Sequence, residues 1–289
     1  MKVAVIIPTY NRHEALRRAV ESVLRQRYPH EVWIGDDGST PPVRYDHPRV
    51  RVVRFPHTGN PSYVRNRLVE MADAPLVAFL DDDDEYVDGR LALQAHHLMD
   101  GNYDASVCNV LVIDHRSGEP IGLAYADSPR PLLRRLLFPF GGYGFIPQVG
   151  ALMVRRDTFL KLGGFNERLT LLEDWEFSLR LFLNYKVGFY NFAGVVHYQN
   201  RPDGLRLRQS PDAPLHYERL LEVVGEYLPP SLHRKVKRHF YGALSRRLLR
   251  SGDRKGALKY ALKSLRHGPE PIALKSLLQL PFRSPSRRI

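Results

Sequence analysis

The residues best equipped for chemistry are four consecutive aspartates, Asp81-Asp82-Asp83-Asp84, set between the apolar run Leu76–Leu80 and Glu85. In an extended segment residues two apart share a face, so Asp81 and Asp83 point the same way. Carboxylates crowded together raise one another's pKa, and a bound cation relieves the repulsion. Oxygen-only ligands favour Mn²⁺ or Mg²⁺, which bind through one or two carboxylates together with substrate phosphates. Taken alone, the run is equally well a solvated acidic loop that caps the next helix. It is not an EF-hand, because Tyr86 stands where the turn glycine belongs and Ala92 where the bidentate glutamate belongs. No phosphate-binding P-loop and no dinucleotide glycine fingerprint is present.

Other residues offer weaker chemistry. Asp36-Asp37-Gly38-Ser39 is either a strand-to-loop turn or a carboxylate aimed at the edge of a nucleobase. Glu173-Asp174-Trp175-Glu176 opens a helix, where the helix dipole favours carboxylates whether or not they are catalytic. The same dipole would keep Asp174 ionised, as a general base requires. Arg65 is placed to reach a phosphate or simply to face water, and His197 ends a strand. No Ser-His-Asp arrangement or zinc-ligand spacing supports a hydrolase. Cys108 is the single cysteine, so disulfides and thiolate clusters are excluded, and its apolar neighbours make it a small core residue.

The elements that must position these groups follow from the apolar periodicity. Strands are predicted at Val3–Ile7, Val32–Ile34, Val50–Phe55, Leu76–Leu80, Ala105–Ile113, Val149–Val154, Val187–Tyr190 and Val195–Tyr198. Helices are predicted over Ala15–Leu24, Tyr63–Met71, Val87–Met99 and Glu173–Asn184, the first capped by Asn11 with Glu14 three residues on. Alternating strands and helices imply a mostly parallel α/β sheet flanked by helices. Ligands of such sheets lie beyond the carboxyl ends of the strands, which is where Pro8-Thr9, Asp36-Asp37 and Asp81–Asp83 fall. Residues 115–150 read as irregular and functional, and 200–214 as a boundary loop. Four basic helices follow, at Tyr217–Tyr227, Leu232–Leu249, Lys255–Leu265 and Ile272–Leu278, with a frayed tail.

The chain has 289 residues, 43% of them hydrophobic, and a formal net charge of +12. A positive protein attracts phosphates, nucleic acid or an anionic membrane. No stretch approaches the ~18 apolar residues of a membrane span, and the N-terminal apolar run is too short for a signal peptide. The expectation is a cytoplasmic protein whose basic C-terminal helices either lie peripherally on the inner face of an anionic membrane or pack on the catalytic domain or another subunit.

The ordered set Val5-Ile-Ile-Pro-Thr-Tyr-Asn-Arg12, Asp36-Asp-Gly-Ser-Thr40, Val64-Arg-Asn-Arg67, Phe79-Leu-Asp-Asp-Asp-Asp84, Gly163-Gly-Phe-Asn-Glu167 and Glu173-Asp-Trp-Glu176 resembles the family 2 glycosyltransferases of the GT-A fold. The likeness runs from Val3 to about Tyr198. It implies a GT-A catalytic domain over 1–212, its donor half about 1–114 and its acceptor half about 115–212, followed by a basic helical region over 213–289. By that resemblance Thr9 and Asp37 hold the nucleotide base, with Pro8, Tyr10 and Arg12 lining the pocket. Arg65 approaches the base or the phosphates. Asp81 and Asp83 form the DxD motif, Asp83 binds Mn²⁺ or Mg²⁺, and Asp81 or Asp82 contacts ribose or metal-bound water. Asp174 is the catalytic base of an inverting transfer, and Trp175 helps to wall the acceptor site. Many relatives carry a Tyr-Arg-x-His element whose histidine assists the metal. Here the stretch is His197-Tyr-Gln-Asn-Arg201, so His197 is a displaced third ligand at most. The implied donor is a nucleoside-diphosphate sugar, UDP first. The acceptor is a sugar, glycan or lipid-linked hydroxyl in surface polysaccharide or glycolipid synthesis. A sugar nucleotidyltransferase would need a glycine-rich phosphate loop where Pro8-Thr-Tyr-Asn11 stands. A non-catalytic relative would tolerate loss of Asp83 or Asp174, and both are present. Nucleic acid is not an expected partner, since no recognised module is present.

Overall fold

The computed structural model describes residues 1–124, 148–199 and 212–279. They fall into two compact units, one of residues 1–124 with 148–199, the other of 212–279. The glycine cluster Gly141–Gly144, most of the segments read as loops and the tail beyond Gln279 lie outside the described residues.

The first unit is built on one nine-stranded sheet. Its strands are β1 (Val3–Thr9), β2 (His30–Asp36), β3 (Val50–Arg54), β4 (Leu76–Phe79), β5 (Glu85–Tyr86), β6 (Ala105–Asp114), β7 (Pro120–Ala124), β8 (Leu152–Arg155) and β9 (Val187–Gln199). They lie in the order β3-β2-β1-β4-β8-β6-β9-β5, with β7 also paired to β6. The uninterrupted apolar runs of β1 and β4 are wholly buried but for Pro8, as expected of strands covered on both faces. β3, β2, β1 and β4 are parallel. Beyond β4 the sheet is mixed. β8 is antiparallel to both β4 and β6, β9 is parallel to β6, and β5 and β7 are antiparallel additions. The expected parallel character therefore holds for the first half only. The two short strands predicted over 187–198 are one strand, β9, with register shifts opposite Asn109.

Helices α1 (His13–Leu24), α2 (Pro61–Met71), α3 (Arg90–Asp100), the short α4 (Arg156–Lys161) and α5 (Glu173–Asn184) accompany the sheet. α2 starts where Asn60 caps the backbone N–H groups of Ser62 and Tyr63 and Pro61 takes the first position. It packs close on β2, because a Cβ on Gly35 would overlap Val64 and touch Leu68. The predicted Asn11–Glu14 capping box does not form. Arg12 is the N-cap without a side-chain cap bond. Asn11 has a φ of 54°, a region asparagine tolerates, and its Oδ1 accepts from the Thr40 N–H at 2.7 Å. Its side chain therefore joins two loops at the carboxyl edge of the sheet instead of starting a helix.

The second unit contains α6 (Ala213–Gly225), α7 (Pro230–Arg250), α8 (Arg254–Leu265) and α9 (Pro271–Gln279). No helix among the described residues is long and apolar enough to cross a membrane.

Candidate active site

Strand register determines which groups meet. β1 lies between β2 and β4, with Thr9 opposite Asp36 on one side and Ile6 opposite Phe79 on the other. Thr9 is the last residue of β1, and Asp82 lies in the turn just past the end of β4. The Thr9 hydroxyl accordingly donates to Asp82 Oδ2 at 2.7 Å. Arg12, one turn on, donates from Nη1 to Asp82 Oδ1 at 3.1 Å and to Asp83 Oδ2 at 3.2 Å. Burial, with Asp83 beside it, raises the Asp82 carboxyl to about 6.

The two aspartates of the second motif have different tasks. Asp36 is wholly buried and accepts from the N–H groups of Ser39 and Val43 and from Arg54. Burial alone would raise its pKa, and the Ser39 and Val43 bonds hold it below the usual value. Asp37 accepts from the Thr58 N–H and hydroxyl at 2.8 and 2.9 Å and from the Gly59 N–H at 2.9 Å. It thus shapes loop 57–60. In that loop the His57 ring stacks on exposed Tyr10 with centroids 4.0 Å apart. Pro8, Thr9, Tyr10, Arg12 and Asp37 all lie at this end of the sheet.

Arg65 is where the structure differs most from the sequence reading. The side chain is 5% exposed and bridges two carboxylates, Asp81 at 2.6 Å and Glu173 at 3.0 Å. Burial alone would lower its pKa, but the two acids outweigh it, so the guanidinium stays charged. Arg65 is therefore a buried tie between the aspartate run and the first residue of α5.

α5 begins from a constrained position. Its N-cap, Leu172, has a φ of 69°, outside the ordinary range for a branched residue. Asp174 follows, its Oδ1 accepting from the Trp175 N–H at 2.7 Å. The helix dipole was expected to keep Asp174 ionised. Instead burial first, then the neighbouring Glu173, raises its pKa to about 7. Burial also raises Glu173. Trp175, expected to wall the acceptor site, has a completely buried side chain.

The Gly163–Glu167 motif has a clear structural task. Asn66 of α2 accepts from the Phe165 N–H and donates to the Phe165 carbonyl, both at 2.9 Å. Arg67 reaches Glu167 at 2.8 Å, and Asn60 donates to the Glu167 carbonyl at 2.7 Å. From the other side Arg180 of α5 donates to the carbonyls of Leu162 and Gly164 at 2.6 and 2.8 Å. Its Nε donates to the fully buried Glu176 at 2.6 Å. The turn thereby locks the helix carrying Arg65 to the helix carrying Asp174. Gly164 has a φ of 66°, and a Cβ there would lie 2.5 Å from Asn66 Oδ1. Gly164→Ala should destabilise by about 1–3 kcal/mol and lower the melting point. An unchanged melting curve would remove the turn from this role.

His197 reaches the aspartate run at Asp84, its Nδ1 2.9 Å from Oδ1. Burial raises Asp84 to about 7, and the Asp84 carboxylate outweighs burial to raise His197. This contact, across 113 residues, gave no sequence signal. The run is not the extended segment expected: it turns at Asp82-Asp83, the Asp84 N–H donating to the Asp81 carbonyl at 3.1 Å, so alternation along a strand does not bring Asp81 and Asp83 to one face. No group of three or more ligating side chains is assembled among the described residues. Asp81 and Asp83 supply carboxylate oxygens, the ligand type Mn²⁺ or Mg²⁺ takes together with substrate phosphates, and each is paired with an arginine here.

A sheet with its parallel half ending in Thr9, Asp37 and the aspartate run, extended by a mixed half and flanked by helices, is the GT-A fold. The chain belongs to glycosyl transferase family 2, whose model matches residues 4–159. It is 26% identical over 209 residues to the uncharacterized glycosyltransferase YwdF of Bacillus subtilis, spanning 68% of this chain and 74% of that protein. It is also 26% identical over 121 residues to WfgD of Escherichia coli, a UDP-Glc:α-D-GlcNAc-diphosphoundecaprenol β-1,3-glucosyltransferase, spanning 40% of this chain and 48% of WfgD. In fold it resembles S. aureus TarS in complex with UDP-GlcNAc, with a TM-score of 0.67 at 17% identity over 94% of this chain and 83% of TarS. It likewise resembles the Pyrobaculum calidifontis mannosyltransferase PcManGT in complex with GDP-Man and Mn²⁺, with a TM-score of 0.57 at 17% identity over 96% of this chain and 78% of the other.

Proposed function

We propose that the chain is an inverting, metal-dependent glycosyltransferase that moves a hexosyl or related sugar from a nucleoside-diphosphate sugar, UDP first, onto an acceptor hydroxyl. The observation that carries this reading is the Arg65 bridge, which ties the DxD aspartate Asp81 to Glu173, the neighbour of Asp174. Asp174 would accept the proton of the acceptor hydroxyl as its oxygen attacks the anomeric carbon, opposite the departing nucleoside diphosphate. A base with a pKa of about 7 is half ionised at neutral pH and holds the abstracted proton well. Thr9, Tyr10 and Asp37 would position the base, while Arg12 holds Asp82 and Asp83 in place. A metal at Asp83, with Asp81 beside it, would stabilise charge on the diphosphate. His197 would act through Asp84, orienting the run. The nucleotide-sugar complexes of TarS and PcManGT, the latter with Mn²⁺, support the donor class and the metal. The lipid-linked acceptor in WfgD's name supports a place in polysaccharide or glycolipid synthesis. Residues 1–212 would be the catalytic domain, with 213–289 as a separate region.

The test is a thermal-shift panel of UDP, GDP, dTDP and CDP, each with and without Mn²⁺. A ligand at a hundred times its dissociation constant stabilises by about 2.7 kcal/mol, a rise of roughly 2 °C or more. One diphosphate should shift the melt in a Mn²⁺-dependent way, and Asp83→Ala should remove that dependence. No shift with any nucleotide would overturn the reading.

A further inference from the structure

The net charge of +12 is not spread over the chain. Residues 1–212 hold 26 Lys and Arg against 26 Asp and Glu, whereas residues 213–289 hold 17 against five. The entire excess belongs to residues 213–289, nine of the twelve to the described 213–279, where α8 and α9 contain no acidic residue.

These two helices also invert the usual arrangement of a surface helix, which turns its large apolar residues inward. α8 buries Ala257, Tyr260, Ala261 and Ser264 and leaves Leu258 and Leu262 exposed at 43% and 48%. α9 buries Ala273 and Ser276 and leaves Leu274 and Leu278 exposed at 45% and 72%. On α8 the exposed leucines share an arc of about 140° with Arg254, Lys255, Lys259 and Arg266, all exposed. On α9 exposed Lys275 follows Leu274. Leucines four residues apart, flanked by cations that can extend past them, match the depth profile of a lipid headgroup region.

We propose that α8 and α9 form a docking surface for an anionic phospholipid bilayer, with the four leucines entering the acyl boundary and the flanking Lys and Arg meeting lipid phosphates. Nucleic acid would satisfy the charge but gains nothing from exposed leucines. The surface stands on the helices alone. Its purpose, holding the enzyme where lipid-linked acceptors are presented, rests on the function proposed above.

The experiment is co-sedimentation of the full chain with vesicles of phosphatidylcholine alone and of phosphatidylcholine mixed with phosphatidylglycerol. Binding should require the anionic lipid and weaken as salt is raised. Leu258→Ser/Leu262→Ser and Leu274→Ser/Leu278→Ser should each weaken it, roughly tenfold per leucine removed. Lys255→Glu/Lys259→Glu should weaken it roughly fivefold or more per position. The melting points of these surface variants should match the parent. Three results would each overturn the proposal: no binding to anionic vesicles, binding that ignores the leucines and is competed away by duplex DNA, or a parent dimer that the serine variants make monomeric. The nucleotide panel separates the two readings. Vesicle binding without a nucleotide shift keeps the surface and sinks the transferase, and a nucleotide shift without vesicle binding does the reverse.

Discussion

Asp174→Asn is expected to lower transfer by about 10²–10⁴-fold, the usual contribution of a positioned general base, while the nucleotide shift with Mn²⁺ stays as in the parent. Asparagine keeps the shape and the contact with the Trp175 N–H but accepts no proton. The pH profile carries the sharper signature. With Asp174 raised to about 7 and acting as the proposed base, kcat/KM should climb as pH rises through that value and level above it, since only a carboxylate takes up the proton. In Asp174→Asn that limb should vanish. Glu173→Gln should move the limb to lower pH, because the repulsion that burial adds to is relieved once the neighbouring charge is gone. If Asp174→Asn keeps the limb, or loses nucleotide binding as fully as Asp83→Ala, the base lies elsewhere.

Arg65→Met should produce the largest loss of stability. The guanidinium is buried between Asp81 and Glu173, and removing it leaves two carboxylates without their partner. Breaking a buried pair from one side costs about 3–5 kcal/mol, a fall in melting point of roughly 6–20 °C. The pH dependence has a definite sign. Without Arg65 the folded-state pKa of Glu173, already raised by burial, rises further above its unfolded value. Stability from its protonated form is present at low pH and is lost as pH rises through the folded pKa. The deficit of the variant should therefore shrink on acidification. Arg65→Lys keeps the charge but cannot fork to both acids, so it should fall between parent and Met. Adding Glu173→Gln to Arg65→Met should recover part of the loss, and strict additivity would mean the pair is not coupled.

The parallel core was legible because β1, β2 and β4 are short apolar runs ending in polar turns, and two-sided burial demands that composition. β5, β7 and α4 were not foreseen. Two to six residues carry too little periodicity, and these elements form only because β9, β6 and β8 stand beside them. The aspartate run announced itself, but the roles within it depend on partners far along the chain. Asp81 meets Arg65, Asp82 meets Thr9 and Arg12, and Asp84 meets His197. Likewise nothing local distinguishes Arg65 from a solvated helical arginine. Its burial follows from Glu173, 108 positions later. The helix dipole argument for Asp174 weighed only the local field, whereas burial and the neighbouring Glu173 act against it and raise the carboxyl.

One edge of β6 sets the spacing of two other strands. β9 runs along one side of that strand for its full length, while the other side is shared by β8 at residues 105–107 and β7 at 110–113. Ala124 and Leu152 are thus both fastened to the same ten-residue strand. β6 is a shared ruler: a substitution that slides it by one residue against β9 would displace β7 and β8 together and turn their side chains to the opposite faces.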